Sequence, residues 1–228
     1  MKELKYRHEY KHVINLLDYH TLRPRIQAIA RLDPNAGVDG RYHIRSLYFD
    51  DGNDRALREK LYGLPNREKF RIRLYNQNEA FIRLEKKSKL NGLCNKRSVQ
   101  LTREQAEQII AGEHAWMLST DNPLLTEFYA KWCYKRLRPK TLVDYWREAY
   151  LFPYGNVRIT FDFDVRTGLY STGLFDKNIP AFPTGEPGLL LLEVKYDNFL
   201  PDIIRDLIQT NTRRTGAFSK YAVCRIYG

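Results

Sequence analysis

The sequence has few cysteines and no long apolar run, and each shortage excludes a class of protein. Only three cysteines occur among 228 residues, Cys94, Cys133 and Cys224, and no two of them form a CxxC pair. An odd number of widely spaced cysteines argues against a disulfide or zinc framework and indicates a reducing compartment. The longest apolar stretch, residues 189–192, is far too short to span a bilayer.

Acidic residues are also in deficit. There are 27 Asp and Glu against 38 Lys and Arg, which gives a net charge of +11 and a pI near 9.5. Such an excess indicates a polyanionic partner, either nucleic acid, an acidic membrane or a phosphorylated small molecule. The first eleven residues are charged throughout, so we expect no signal peptide. We expect a cytoplasmic protein without a transmembrane segment, and a membrane-protein partner at the inner face of a membrane stays open.

The motifs of several common functional folds are missing too. The sequence has no P-loop, no GxGxxG that opens a helix and no nucleophile elbow. It has no RNP-like motif, and its cations lie within predicted strands rather than along a helix. We therefore expect no nucleic-acid partner, although the charge keeps a nucleic-acid binder as an alternative.

Aromatic and β-branched residues are concentrated in eight segments that predict long strands. These segments are residues 4–13, 42–49, 69–75, 79–87, 94–101, 139–151, 157–165 and 188–196. Helices are predicted between them, at residues 15–31, 54–62, 102–111, 122–132 and 201–209. Thr102 and Gln105 predict a capping box, and Pro24 predicts a kink or break in the first helix. Residues 219–227 are ambiguous between strand and helix.

Charged and apolar residues alternate along five of the predicted strands. In residues 69–75, one face carries Lys69, Arg71 and Arg73, and the other carries Phe70, Ile72 and Leu74. An ordinary sheet with one solvated face would explain any single strand. Over five strands, however, the polar faces carry paired Arg and Lys and almost no Ser, Asn or Gln. We predict an α+β fold, a closed, mostly antiparallel β-barrel with a charged interior and helices packed outside, as one domain over residues 1–228.

Three of the strands carry a Glu-x-Lys unit, which places a carboxylate beside an ammonium on one face. The units begin at Glu9, Glu85 and Glu193. Lysines neutralise phosphate as point charges, whereas arginines bind it bidentately. A triphosphate normally arrives with a divalent metal, which prefers hard oxygen ligands, and Glu193 is the best candidate ligand. Cross-strand salt bridges on an exposed sheet are the alternative use of the same residues.

Five motifs occur in order along nearly the whole chain and together resemble the polyphosphate polymerase domain of the vacuolar transporter chaperone (VTC) complex, a triphosphate tunnel metalloenzyme. The motifs are Ser46-Leu47-Tyr48-Phe49-Asp50, Arg71-Ile72-Arg73-Leu74-Tyr75, Leu84-Glu85-Lys86-Lys87, Leu192-Glu193-Val194-Lys195 and Phe218-Ser219-Lys220-Tyr221. The resemblance implies an antiparallel tunnel whose arginines and lysines hold ATP and a growing phosphate chain.

The resemblance and the strand pattern together give two groups of candidate site residues. The predicted catalytic residues are Arg71, Arg73, Lys87, Arg147, Arg158 and Glu193, of which Glu193 is also the predicted metal ligand. The predicted substrate-binding residues are Lys11, Lys96, Tyr145, Lys195, Ser219 and Lys220.

Two departures from the family pattern bear on function. Ala217 stands where a further lysine is expected, so we expect that end of the tunnel to hold phosphate less tightly. Arg7 replaces the first glutamate of the Glu-x-Glu-x-Lys signature of the triphosphatase branch, which favours synthesis over hydrolysis because fewer carboxylates remain to organise an attacking water.

The resulting prediction is a polyphosphate polymerase, dependent on Mn²⁺ or Mg²⁺, that moves the γ-phosphoryl group of ATP onto inorganic polyphosphate. Two alternatives stay open. One is an inorganic or nucleoside triphosphatase of the same fold, and the other is a non-catalytic module that binds polyphosphate or inositol phosphates.

Overall fold

The computed structural model describes residues 6–209 and 216–226. The strands are β1 (Tyr6–Ile14), β2 (Arg31–Leu32), β3 (Arg41–Asp50), β4 (Arg67–Tyr75), β5 (Ile82–Leu90), β6 (Leu93–Leu101), β7 (Arg138–Phe152), β8 (Val157–Thr167), β9 (Phe182–Pro183) and β10 (Leu190–Tyr196). The α-helices are α1 (Leu16–Gln27), α2 (Arg55–Leu61), α3 (Arg103–Ala111), α4 (Pro123–Lys135), α5 (Asp202–Leu207) and α6 (Lys220–Ile226). Two 3₁₀ helices lie at Ala115–Ser119 and Tyr154–Asn156.

Eight of the strands close into an antiparallel barrel in the order β7-β3-β4-β5-β6-β1-β10-β8, because β8 pairs back onto β7. The short strands β2 and β9 pair with β7 and β8 outside this ring. The eight barrel strands correspond to the eight predicted ones, although residues 4 and 5 of the first prediction lie outside the described residues. Side chains alternate across each strand, so in the closed barrel every second side chain points inward and the others point outward.

Apolar side chains on the outer face pack under helices in two cores. Phe49 of β3 and Phe70 of β4 lie 5.2 and 5.1 Å, between ring centroids, from Phe128 of α4. On the other side, Phe161 of β8 packs with Tyr19 of α1, at 5.0 Å between ring centroids. Burying each such side chain stabilises the fold by about 1.5–3 kcal/mol. The helices are therefore bound to the apolar outside, and the charged face is left inside.

Helix boundaries follow local capping signals. The predicted capping box is confirmed, since Thr102 accepts from the backbone N–H of Gln105 and the Gln105 side chain accepts from that of Thr102. The first helix continues through Pro24 but ends at Gln27, earlier than predicted. Arg31, which we had assigned to that helix, instead pairs with Leu151 in β2.

The ambiguous C-terminal segment forms a helix, α6, which packs against inward-facing side chains of the barrel. Tyr221 stacks on Tyr48 at 5.0 Å between ring centroids, and its hydroxyl donates to Asp50 at 2.6 Å. The Thr167 hydroxyl at the end of β8 donates to the Cys224 carbonyl at 3.0 Å. These contacts fix α6 where β3 and β8 end, so the helix covers part of that end of the barrel.

Candidate functional site

The barrel encloses a cavity of about 490 Å³ with a strongly unequal charge lining. Of the residues that the structure describes, fourteen Lys and Arg line it, against two carboxylates, Glu9 and Glu193. All twelve predicted site residues lie on its wall, namely Lys11, Arg71, Arg73, Lys87, Lys96, Tyr145, Arg147, Arg158, Glu193, Lys195, Ser219 and Lys220. The structure thus brings them together, while the role of each stays a prediction.

Arg71 and Arg73 are held in the cavity wall by side chains of the strands on both sides. Arg71 donates to Glu85 Oε2 from Nε at 2.8 Å and from Nη2 at 2.6 Å, and its Nη1 donates to the Tyr48 hydroxyl at 2.7 Å. Arg73 donates to the hydroxyls of Ser46 at 3.0 Å and Tyr145 at 3.1 Å.

Charges around this arginine pair keep the groups ionised despite their burial. Burial lowers the pKa of Arg71, but Tyr48 and Glu85 raise it well above its ordinary value. Burial likewise raises the pKa of Glu85, but Arg71, Arg73 and Lys96 bring it well below its ordinary value. The two guanidinium groups are therefore charged and fixed in place without a ligand.

The pairing of β1 with β10 builds a second cluster around the two carboxylates. It sets Lys11 opposite Glu193 and Glu9 opposite Lys195. Lys11 Nζ lies 2.7 Å from Glu9 Oε1 and 3.3 Å from Glu193 Oε2. Lys87 Nζ lies 2.5 Å from Glu9 Oε2, and the Lys195 ammonium contacts Glu193 Oε1. The two carboxylates therefore share one ammonium, and each has a second of its own.

The pKa values of this cluster follow from burial and from the mixed charges. Burial raises the pKa of Glu193, but Lys195 and Lys11 bring it well below its ordinary value. Burial lowers the pKa of Lys195 to about 8, because Glu193 and Glu9 offset only part of the loss of solvation. Burial and Glu193 raise the pKa of Glu9, but Lys87, Lys11 and Lys195 bring it below its ordinary value. Both carboxylates are therefore negative at neutral pH.

This pair of carboxylates fits a divalent metal that arrives with its phosphate. Among residues 6–209 and 216–226, no group of three or more His, Cys, Asp or Glu side chains forms a ready metal site. Mg²⁺ in phosphate-transfer sites is usually bound by one or two carboxylates together with substrate oxygens. Glu193, with Glu9 beside it, offers that donor set once phosphate oxygens bind the surrounding lysines.

Further cations are held by acids that the sequence pattern did not single out. Arg147 donates to both carboxylate oxygens of Asp162, at 2.6 and 2.8 Å, and Lys220 contacts the same acid. Arg158 donates to Asp33 at 2.6 Å and to the Tyr42 hydroxyl at 2.8 Å. Asp162 lay in the charged phase of its predicted strand, so the signal was present, whereas Asp33 lies in a loop and no periodicity marks it.

Five of the described cavity cations were missing from the predicted site, namely Arg7, Lys60, Arg67, Lys69 and Lys89. Arg7 lies on β1, in the same phase as Glu9 and Lys11. Three of them continue the charged phase of β4 and β5 and could have been found by extending it. Lys60 lies on α2, where no strand alternation exists to mark it.

The segment of residues 216–219 enters the cavity beside β1. The Gly216 N–H donates to the Lys11 carbonyl at 2.8 Å, and Lys11 Nζ donates to the Phe218 carbonyl at 3.2 Å. The Lys60 ammonium donates to the Ala217 carbonyl. The Ala217 side chain carries no charge, but a cation from α2 lies at the same place.

Sequence comparison assigns the family. A family model described as the VTC domain matches residues 6–226. The chain belongs to the VTC domain family. A search of curated proteins returned no match.

Comparison of this VTC domain with solved structures bears on the fold. A putative adenylyl cyclase from Hippeastrum, reported to have a dominant triphosphatase activity, superposes with a TM-score of 0.56 at 13% identity, over 97% of this chain and 96% of that one. A putative adenylate cyclase from Bacillus halodurans gives a TM-score of 0.52 at 11% identity, over 90% and 87% of the two chains. These likenesses show the fold, and the closed eight-strand barrel matches a triphosphate tunnel. Within the described residues, no helix is long and apolar enough to cross a membrane.

Proposed function

We propose that this VTC domain is a metal-dependent polyphosphate polymerase, which transfers the γ-phosphoryl group of ATP to the end of a polyphosphate chain and releases ADP. Membership of the VTC domain family supports a role with triphosphate or polyphosphate. The observation that carries the proposal is the charge of the cavity wall, where fourteen of the described Lys and Arg residues face two carboxylates inside a closed barrel. A linear polyanion satisfies such a cavity, because buried charge is costly unless it is compensated.

Catalysis would rest on position and charge rather than on a protein nucleophile. Phosphoryl transfer requires the donor, the acceptor and the leaving oxygen to be in line, and negative charge on the phosphoryl oxygens to be neutralised. Arg71, Arg73 and Arg147 are already oriented by acids and hydroxyls, so they would bind phosphate oxygens with little rearrangement. Lys87, Lys195 and Lys220 would exchange their present carboxylates for phosphate oxygens.

Glu193 would hold the metal, with Glu9 as the neighbouring carboxylate. A divalent ion held by these carboxylates would supply positive charge close to the phosphate oxygens. The Lys11 ammonium contacts both carboxylates, so a metal ion bound by them would directly change the surroundings of that ammonium.

A triphosphatase of the same fold is the second candidate, and the activity reported for the Hippeastrum protein favours it. The two reactions differ only in the acceptor, which is a phosphate chain end or water. The triphosphatase signature has its first glutamate at the position of Arg7. Here the Arg7 guanidinium lies 2.8 Å from the Asp197 carboxylate. With one carboxylate fewer, the site has less capacity to organise an attacking water, which supports synthesis. A non-catalytic polyphosphate or inositol-phosphate sensor would need only the cations.

One experiment separates the three candidates. The purified protein is incubated with ATP and either Mn²⁺ or Mg²⁺, then assayed for ADP, free phosphate and polymer on a polyacrylamide gel. Polymer formed together with ADP is the expected result. Free phosphate without polymer would make the protein a triphosphatase. Binding of polyphosphate without any loss of ATP would make it a sensor.

A further inference from the structure

A thiol, an imidazole and a phenol meet on the outside of the barrel, away from the cavity. Cys133 lies near the end of α4 and is exposed, and its Sγ lies 3.6 Å from Nε2 of His114. Tyr129, one turn earlier on α4, forms a side-chain hydrogen bond with Cys133. None of the three residues lines the cavity. We call Cys133, His114 and Tyr129 the thiol cluster.

His114 is held so that Nε2 is its basic nitrogen. It lies two residues after Gly112, which ends α3 in the left-handed conformation, and its Nδ1 lies 2.6 Å from the Gly112 carbonyl oxygen. A carbonyl only accepts, so the proton of the neutral ring is on Nδ1 and the lone pair of Nε2 faces the thiol. The His114 ring also lies 5.3 Å, between centroids, from the rings of Tyr129 and Trp132, which restrict its rotation.

The same position also suits the charged form of the ring. An imidazolium at the carboxyl end of a helix is stabilised by the helix dipole, and its Nδ1–H keeps the bond to the Gly112 carbonyl. The hydrogen bond with Cys133 raises the pKa of Tyr129, so this phenol keeps its proton and can donate to the sulfur. A thiolate at Cys133 therefore has two donors, the Tyr129 hydroxyl from its own helix and the His114 Nε2–H from the turn after α3.

Cys224 provides the contrast within the same chain. Its Sγ donates to the Arg166 carbonyl at 3.6 Å, the same length as in the thiol cluster, but a carbonyl cannot take the proton. Cys224 is fully buried, and burial raises its pKa to about 12. The two thiols have hydrogen bonds of equal length, but only Cys133 has the two properties that reactivity requires, a basic acceptor and access to solvent.

We propose that Cys133 is a reactive thiol that undergoes exchange with low-molecular-weight disulfides, with His114 as the base. The S–H bond breaks as its proton moves to His114 Nε2, and Sγ attacks one sulfur of the disulfide. A new S–S bond forms between Cys133 and that sulfur, while the old S–S bond breaks and the other sulfur leaves as a thiolate. This thiolate takes the proton from His114, so the products are a mixed disulfide on α4 and one free thiol.

The small disulfide is itself the oxidant, since one of its sulfurs is reduced as Cys133 is oxidised, and no further reactant is required. The inference does not rest on the proposed function, because the thiol cluster lies outside the cavity lining and the exchange involves no phosphate.

The test is the rate at which a neutral dipyridyl disulfide modifies Cys133 in the full chain, with the site assigned by peptide mass spectrometry. A neutral probe is chosen because the cavity cations would attract an anionic one. At about pH 7 only a few per cent of an ordinary thiol is ionised, and its rate rises several-fold between about pH 7 and 8. The rate at Cys133 should change little over that interval, because His114 already takes the proton.

His114→Gln is the decisive variant, because the amide keeps a polar side chain beside the sulfur but cannot take a proton. At about pH 7 it should slow modification of Cys133 about tenfold, which is less than a positioned base usually contributes because a thiol is nucleophilic by itself. At about pH 9.5, where a free thiol is already ionised, the difference should disappear. A histidine that only packed against α4 would not produce this convergence.

Two further variants complete the comparison. Tyr129→Phe keeps the ring but removes the hydroxyl, and it should slow the reaction about threefold, within the range for one hydrogen bond. His20→Gln is the matched control, because His20 is an exposed histidine whose ring lies 5.2 Å from that of Tyr19, on the helix that packs on the other side of the barrel. Its rate at Cys133 should equal that of the unmodified protein. Thermal unfolding of each variant checks that the fold is intact.

Equal rates for the unmodified protein and His114→Gln at about pH 7 would overturn the proposal, since His114 would then not act as a base. A tenfold difference that persists at about pH 9.5 would also overturn it, because it would indicate an altered fold. If His114→Gln does not fold, the unmodified protein still decides, because a rate at Cys133 that rises between about pH 7 and 8 as an ordinary thiol's does would reject the base. Modification of Cys94 or Cys224 while Cys133 stays free would reject the site.

Discussion

Two buried glutamates on the barrel, Glu148 outside and Glu193 inside, have similar burial but different partners. Glu148 is fully buried on β7 under α1, where it accepts from the Tyr19 hydroxyl at 2.8 Å, from Arg23 Nε at 2.7 Å and from the Tyr150 hydroxyl. Glu193 is 4% exposed on β10, and its carboxylate contacts the ammonium groups of Lys11 and Lys195.

Glu148 and Glu193 differ in whether a ligand can compete for the side chains that bind them. Tyr19 and Arg23 belong to a helix that packs over Glu148, so those bonds attach α1 to the barrel, and all three residues lie outside the cavity lining. Lys11 and Lys195 line the open cavity, where phosphate oxygens can compete for them. A buried glutamate with cationic partners therefore stabilises the fold outside the barrel, whereas inside the barrel phosphate can replace the glutamate as the partner of those cations.

The largest expected effect is on turnover in Glu193→Gln. The substitution keeps the shape of the side chain but removes the charge that would hold a divalent metal. We expect metal-dependent turnover of ATP to fall by about a thousandfold, equivalent to about 4 kcal/mol of transition-state stabilisation. Binding of metal-free tripolyphosphate should be retained or tighter, because Lys11 and Lys195 lose a competing carboxylate.

The measurements for this variant are initial rates over a titration of Mn²⁺ and calorimetric binding of tripolyphosphate without metal. An unaltered metal response would mean that Glu193 only pairs with lysines and that the metal is held elsewhere. The thermal midpoint of unfolding should change little, which separates a lost metal ligand from a lost fold.

Glu148→Gln is the matched substitution on the outside, and it should affect stability instead. A neutral amide leaves Arg23 and Arg41 without their anion and breaks the hydrogen-bond network around Tyr19 and Tyr150. Removing one partner of such a buried network costs about 3 kcal/mol. Urea unfolding should show this loss, while tripolyphosphate affinity of the folded protein stays the same. A drop in affinity as large as the drop in stability would show that the two networks are not separate.

Much of the barrel could be predicted from the sequence, because strand composition is a local signal present in eight segments and charge alternation is a second one present in five of them. The charged phase of residues 69–75 identified Arg71 and Arg73 correctly as cavity-facing, and the same rule placed Glu193 and Lys195. The capping box at Thr102 and the start of α4 at Pro123 were also visible as short motifs.

Other features depend on contacts that no local pattern carries. Lys60 reaches the cavity from a helix, and Asp33 reaches Arg158 from a loop, so neither shares a strand phase with its partners. The pairing of Lys11 with both Glu9 and Glu193 depends on the register of β1 against β10.

The smallest expected effect distinguishes two neighbouring arginines inside the cavity. Arg71 is bound to Glu85 and Tyr48, whereas Arg73 bonds to the Ser46 and Tyr145 hydroxyls and lies 3.7 Å from Glu85. Either change to alanine should weaken tripolyphosphate binding by about 1.5–3 kcal/mol, the range for hydrogen bonds to charged groups. Arg71→Ala should lie at the lower end, because Glu85 already neutralises part of the Arg71 charge and competes with phosphate for it. In that variant Glu85 also keeps Lys96 as a partner at 3.0 Å. Arg73→Ala should lie at the upper end, since neutral hydroxyls compete less for its guanidinium.

Calorimetric affinities for the two variants, with unfolding curves as controls, test this order. Unchanged affinity in both variants would remove the arginine pair from the phosphate site. A larger loss for Arg71→Ala than for Arg73→Ala would show that the ion pair with Glu85 does not lower the contribution of the Arg71 guanidinium to binding.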